Sequence, residues 1–356
     1  MTDCNETEYL LHRPTFICLL SSEILFGLLG TLTNTCLVVA LWKTALFHNN
    51  LRILLTHLSV VASCYSFSMT IKGLYVLARW RTDPCQLVIS IYQCKLIELV
   101  SVLPLLTLMY SLVPIGLERM YATLRYRFYE RSRSITLSLA LIAATWLCSM
   151  ASQFHSLNSV SKNETVPFCV NLLAMNNSAV VWMLVLGTVQ EFIALALYLA
   201  TYFINKTLYV NLLINRASEQ TLTSRFQLAQ NIQVSELMLP TAAAHAAFML
   251  PTNGLAVLVV AGLDMDFVQR VELVHASYLS AVIYTVVHPI ICFGRNGALR
   301  RTILSLITRS KKEITIDPKR LSQKRRYTND YQLTGAASES DRHFDILMRT
   351  WESTGK

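Results

Sequence analysis

Seven runs of roughly 20 or more mostly apolar residues punctuate this chain, and no other feature of the sequence constrains its fold as tightly. A hydrocarbon core about 30 Å thick is crossed by about 20 helical residues at 1.5 Å rise each. The runs cover about 15–42, 51–78, 94–119, 135–156, 179–204, 236–262 and 271–293, roughly half of the 356 residues. Composition agrees: 53% of residues are hydrophobic, 15% are charged and the mean hydropathy is +0.42. Soluble domains carry about 25% charged residues, and a disordered chain lacks this much apolar surface. The reading is an all-α membrane protein, a seven-transmembrane helix bundle over 15–293.

Basic residues orient the bundle, because cytoplasmic loops near helix ends carry the excess of Lys and Arg. Most of the 31 Lys and Arg fall on one side if the N-terminus is outside, which makes 1–14 an extracellular segment and 309–356 a cytoplasmic tail. Sequons give an independent vote, since Asn-x-Ser/Thr is glycosylated on the lumenal side. Asn5, Asn163 and Asn176 fall outside; Asn205 falls at the inner end of the fifth run and is predicted to be unused. The first fourteen residues are polar and acidic, so the first run is read as a retained helix rather than a cleaved signal. The net charge of +9 is then a membrane-facing feature, with membrane lipids as partners and no nucleic-acid role.

Spacing within the third run carries the functional argument. Cys94 opens it and Glu118, Arg119 and Met120 close it 24 residues on, a separation of about 36 Å along a helix. A Cys at that distance before an acidic residue and Arg resembles the G-protein-coupled receptors, with Met120 in place of the usual Tyr. Asn34 in the first run and Trp146 in the fourth resemble other landmarks of that group. Phe248-Met-Leu-Pro251 and His288-Pro289-Ile-Ile-Cys292 resemble its bends in the sixth and seventh helices, with Met249, His288 and Cys292 substituted. Pro251 and Pro289 are thus the expected helix bends.

Longer strings are more specific. Asn50 to Ser59 (Asn-Leu-Arg-Ile-Leu-Leu-Thr-His-Leu-Ser), Leu117 to Thr123 with Tyr126 to Glu130, and Arg225 to Ile232 resemble the nematode serpentine chemoreceptors of the alpha superfamily, most closely the alpha/beta (Srab) class. That resemblance implies a chemosensory G-protein-coupled receptor in the plasma membrane of sensory neurons, with cilia as one candidate location. Its partners would be a small-molecule or peptide chemical cue and a heterotrimeric G protein. It also selects one disulfide. Cys4, Cys85, Cys94 and Cys169 lie on the oxidising side and allow three pairings; the family selects Cys94 with Cys169, leaving Cys4 and Cys85 as an open possibility.

Arg119 is costly to desolvate unless paired, and Glu118 offers a carboxylate. Release of that pair is the expected coupling switch, against the alternative of an interfacial Arg that merely snorkels. Arg125 and Arg127, with Tyr126 and Tyr129, make a basic, aromatic inner loop that could grip a G protein or rest on anionic lipid, at about 1 kcal/mol per basic residue. The stretch 294–308 alternates Leu299, Ile303, Leu306 and Ile307 with Arg300 and Arg301, the pattern of an interfacial amphipathic helix.

Intramembrane polar residues face inward, so the ligand pocket is expected in the outer half of the bundle. Glu98 and Ser101 follow Cys94 by one and two helical turns, with Leu105 deeper; Glu191, His245, Met249 and His275 join from other runs, as could Glu23 and Lys72. The alternative is that these groups pair with one another. A ligand-gated channel lined by Lys72, Lys95, Glu98 and Glu191 is the rival function, and a receptor-like protein that no longer couples is a third. The chain has no paired His motif, no Gly-x-Ser-x-Gly and no phosphate loop, so no enzyme activity, cofactor or metal is expected.

Overall fold

The computed structural model describes residues 2–44, 47–126, 129, 134–158, 164–170, 177–214, 222–261 and 265–313. Helix α1 (Thr2–Leu11) precedes the bundle. The bundle itself comprises α2 (Pro14–Lys43), α3 (Asn49–Thr82), α4 (Ile91–Tyr110) with α5 (Leu112–Leu124), α6 (Thr136–Asn158), α7 (Asn177–Ile214), α8 (Leu222–Val260) and α9 (Phe267–Arg295). A last helix, α10 (Gly297–Glu313), follows. Among the described residues, seven helical spans are long and apolar enough to cross a membrane, α4 and α5 together forming the third.

Several helices run past the apolar segments. Helix α8 starts at Leu222, more than three turns before the apolar run at 236, and α7 continues to Ile214. Hydropathy marks where lipid begins, whereas helical hydrogen bonding continues into the polar flanks. The third span behaves differently and breaks at Ser111. Pro114 has no N–H to give the Tyr110 carbonyl and its ring crowds that carbonyl, so the helix restarts there.

The bundle is an inside-out soluble protein. Leu32, Phe67, Val100, Leu147, Trp182 and Phe203 are exposed on its circumference, where a soluble domain of this size would bury them. Its interior is rich in hydrogen-bonded polar groups. Helix α2 packs against α3 and α9, α8 packs against α7 and α9, and the broken third span is the most enclosed of the seven. Close approach of α2 to α3 depends on Gly27, where an added Cβ would meet the Ser66 carbonyl at 2.8 Å.

Pro289 leaves the Thr285 carbonyl without its helical donor, and Asn34 supplies one from α2 at 2.7 Å. The Asn34 amide also reaches the Gly30 carbonyl at 2.8 Å. Pro251, by contrast, faces outward and is exposed.

One end of the bundle holds both disulfides. Strand β1 (Ile89–Ser90) pairs antiparallel with β2 (Thr165–Val166), with Ile89 opposite Val166. Ser90 then caps α4 in a reciprocal box with Gln93, and Asp266 caps α9 in the same way with Gln269. Cys94 is joined to Cys169 with Cα atoms 5.3 Å apart, and Cys4 to Cys85 at 5.0 Å. The second bond holds α1 across the end of the bundle, where Thr7 donates to the Pro167 carbonyl and Leu10 and Leu11 are fully buried. At the other end α10 lies against α2 and α9; Leu299 is buried, Arg300 and Arg301 are exposed, and Asn296 accepts from the Ala298 and Leu299 N–H groups at 3.0 and 3.2 Å.

Candidate functional site

Two buried charge clusters sit at opposite ends of the third span. At its far end α5 carries Glu118 and Arg119, which are neighbours in the chain and 0% and 5% exposed. Arg119 grips Glu118 with two bonds, Nε to Oε2 and Nη2 to Oε1, each 2.5 Å. Tyr129 closes the cluster from the loop beyond α5. Its hydroxyl donates to Glu118 Oε1 and accepts from Arg119 Nη2 at 3.3 Å.

The Tyr129 ring packs on His48 with centroids 4.4 Å apart, and the Arg119 guanidinium lies 5.8 Å from the ring centre. Burial raises the Tyr129 phenol well above its ordinary range, the Arg119 charge pulling it down and Glu118 pushing it up, so it stays a donor. Thr123 ties the cluster to α7, accepting from Asn205 at 2.9 Å. Asn205 is fully buried within the bundle. Met120 is half-buried and Arg125 exposed; Arg127 lies outside the described residues.

The disulfide end draws its charges from four spans. Glu98 on α4 pairs with Lys72 on α3, and its other oxygen accepts from Ser101 at 3.1 Å. The Lys72 ammonium lies 5.2 Å from the centre of the Tyr278 ring. On the facing side, His275 of α9 donates from Nδ1 to both oxygens of Glu23 on α2, at 2.9 and 3.1 Å. Phe16 stands edge-on to the His275 ring at 5.1 Å, and Phe168 lies 5.9 Å from it. Phe168 is adjacent to Cys169, so the Cys94 disulfide holds this aromatic over the cluster. Leu105 is buried in the apolar core farther along the same span.

Not every pocket residue read from the sequence joins this cluster. Glu98, Ser101 and His275 do, together with Glu23 and Lys72. Glu191 and His245 instead pair with each other at 2.8 Å. His245 also faces the Leu108 carbonyl, about 15 Å farther along the third span than Glu98. Met249 is fully buried one turn from His245. Asn5 is exposed on α1, while Asn163 and Asn176 lie outside the described residues. Among the described residues, no three His, Cys, Asp or Glu side chains are placed to hold a metal ion.

The aromatic partners Phe16, Phe168 and Tyr278 escaped the sequence reading of these sites, and Tyr129 is legible there only as part of a loop, not as the third member of the Glu118–Arg119 cluster. Aromatic residues at helical spacing are indistinguishable from lipid-facing ones until the packing is known. Tyr129 alone carried a signal, its place in a basic, aromatic loop.

The model of the serpentine type 7TM GPCR receptor class ab chemoreceptor family matches residues 1–319. The chain is also similar to serpentine receptor class alpha/beta-14 of Caenorhabditis elegans, 24% identical over 348 residues that cover 93% of this chain and 88% of that protein. A match over nearly the whole length, on a bundle of seven apolar spans with one disulfide-linked end and a buried Glu-Arg pair, fixes the family: the chain belongs to the serpentine class ab chemoreceptors and is a multi-pass membrane protein of the G-protein-coupled receptor type.

Proposed function

We propose that this receptor binds an external chemical cue, a small molecule or a peptide, at the disulfide end and activates a heterotrimeric G protein at the arginine end. The observation that carries the proposal is the third span itself. Glu98 and Ser101 near one terminus, and Glu118 and Arg119 near the other, are buried polar groups about 30 Å apart on one element. A rearrangement at the first cluster is transmitted along a span whose break at Ser111 lets its halves move separately.

The Lys and Arg distribution supports an outside N-terminus over 1–14 and a cytoplasmic tail over 309–356, with 294–308 lying in the inner interface. The pocket is assigned to Glu98, Ser101, Leu105 and His275, with Glu23 and Lys72 as counter-charges. Glu191, His245 and Met249, lying deeper, are assigned to transmission. Pro251 and Pro289 serve as hinges. Arg119, released from Glu118 and Tyr129, contacts the G protein, flanked by Met120, Arg125 and Arg127. The plasma membrane of sensory neurons, their cilia included, is the proposed location.

A second-messenger assay tests the reading in cells expressing wild type and Arg119→Ala at matched surface level, against a panel of chemicals. A response present in wild type and lost with Arg119 is the expected result. A response that survives the substitution, or a current that needs no G protein, rejects the switch.

A further inference from the structure

His245 on α8 is fully buried, and both of its ring nitrogens face oxygen acceptors. Nδ1 lies 2.8 Å from Glu191 Oε2 on α7, and Nε2 lies 3.3 Å from the Leu108 carbonyl on α4. With Glu191 ionised, a neutral imidazole, which has one N–H and one lone pair, would set that lone pair against an oxygen in either tautomer. The imidazolium donates at both contacts. It also neutralises Glu191, which is 2% exposed and whose charged partner among the described residues is His245.

The carbonyl it reaches lies at the break in the third span. Leu108 accepts the Ser111 N–H at 3.2 Å in a tightened turn and has a second lone pair to offer. Past the break, the Leu112 carbonyl accepts the Tyr198 hydroxyl from α7 at 3.1 Å. Close packing at Gly116, where an added Cβ would meet the Leu197 Cβ at 3.2 Å, keeps α7 against α5 one turn before Arg119. The break is therefore held by α8 on one side and by α7 on the other.

The groups facing His245 are few. Helix α7 offers Glu191 and, farther along, Tyr198. Helix α4 offers a backbone carbonyl. Helix α9 offers Tyr284, edge-to-face at 4.7 Å, then His288 at 5.9 Å from Tyr284, and Cys292 one turn beyond. Among the described residues, the Tyr284 hydroxyl and both His288 nitrogens are buried without a hydrogen-bond partner, and so is Glu191 Oε1. His288 is thus the one nearby group on these elements whose protonation would oppose a charge on His245.

We propose that His245 is a positioning residue, held as an imidazolium across Glu191 and the Leu108 carbonyl, and that this bridge sets the break in the third span so that the Glu118–Arg119 pair stays closed. Loss of the proton to water leaves Glu191 uncompensated and removes one of the two hydrogen bonds that His245 makes to α7 and α4. The bridge stands on geometry; its consequence for Arg119 rests on the coupling reading above.

The test uses the full-length receptor in phosphatidylcholine nanodiscs, with protons as the probe. Histidine labelled with ¹⁵N and ¹³C reports ring protonation by NMR, and either His245→Gln or His245→Asn assigns the signal. The expected result is a ring protonated at both nitrogens at neutral pH. In the same protein, spin labels at Leu124→Cys on α5 and Gln233→Cys on α8, with the free cysteines replaced, report how far the arginine ends stand apart.

Their separation should be single-valued while His245 is charged and lengthen at the pH where the NMR signal deprotonates. Glu191→Gln should move that pH down, and His245→Gln should give the longer separation throughout. A neutral His245 ring overturns the bridge. A separation indifferent to the titration and to both substitutions overturns the positioning role, and the titration of otherwise native receptor decides this even if a substitution fails to fold. A separation that follows the titration, in a receptor whose signalling ignores Arg119→Ala, keeps the bridge and rejects the coupling reading instead.

Discussion

The two ends of the third span solve the same problem, a buried charge, in opposite ways. At the arginine end, Glu118 and Arg119 are adjacent in sequence and pair within one helix, with a single tyrosine from a loop to seal them. At the disulfide end, Glu98 takes its cation from Lys72 on another helix and Glu23 takes His275 from the far terminus of the bundle, 252 residues away. The first arrangement can open without moving any helix apart from another. The second cannot, because each pair is also a tie between spans. Local pairing suits the proposed switch, and distributed pairing, fastened by two disulfides, suits a frame whose spans shift together when the proposed cue rearranges them.

Substitutions can break that contrast. The largest effect is expected from replacing Cys94 and Cys169 together by Ser: a cross-link closing a separation of 75 residues contributes about 2–5 kcal/mol, so surface expression measured by antibody labelling should collapse. Next comes Lys72→Met, which strands Glu98 in the interior at about 3–5 kcal/mol where the frame itself persists. Thermal unfolding in nanodiscs should show the loss, and Lys72→Met with Glu98→Leu should recover most of it.

Glu118→Gln should cost less, about 1–3 kcal/mol, because Arg119 lies a turn and a half from the end of α5 and can reach water. Its signature is raised basal second-messenger output at matched surface level. Equal destabilisation by Glu118→Gln and Lys72→Met would abolish the distinction between switch and frame. Tyr129→Phe removes one hydrogen bond to the pair, about 1 kcal/mol, and should raise basal output by less than Glu118→Gln does. Arg125→Ala, at an exposed position, should leave the unfolding midpoint unchanged within about 0.5 kcal/mol and lower only the response of the coupled receptor.

Much of this was legible in the residue order. Span number follows from hydropathy because lipid demands about 20 apolar residues per crossing whatever the neighbours are. The Glu118–Arg119 pair was legible because its members are adjacent, and the Cys94–Cys169 bond because a family shares it. A polar group on an apolar segment is expected to be buried, but residue order is silent on what it meets. Glu191 and His245 carry the same signal as Glu98, and the packing separates them from it by about 15 Å along the third span. Helix ends were the other gap, since α7 and α8 extend into polar flanks that hydropathy cannot mark.

The sequence by itself determined that this chain crosses a membrane seven times and keeps an acid–base pair at the end of its third span, because both are consequences of local composition. Tertiary structure alone decided which carboxylate meets which cation. It also decided that Asn34 answers the carbonyl left by Pro289, and that His245 lies between an acid and the break at Ser111. Those pairings join residues tens to hundreds of positions apart. Inside a low-dielectric bundle each buried polar group must find a partner, and only the packing of the helices says which one lies within reach.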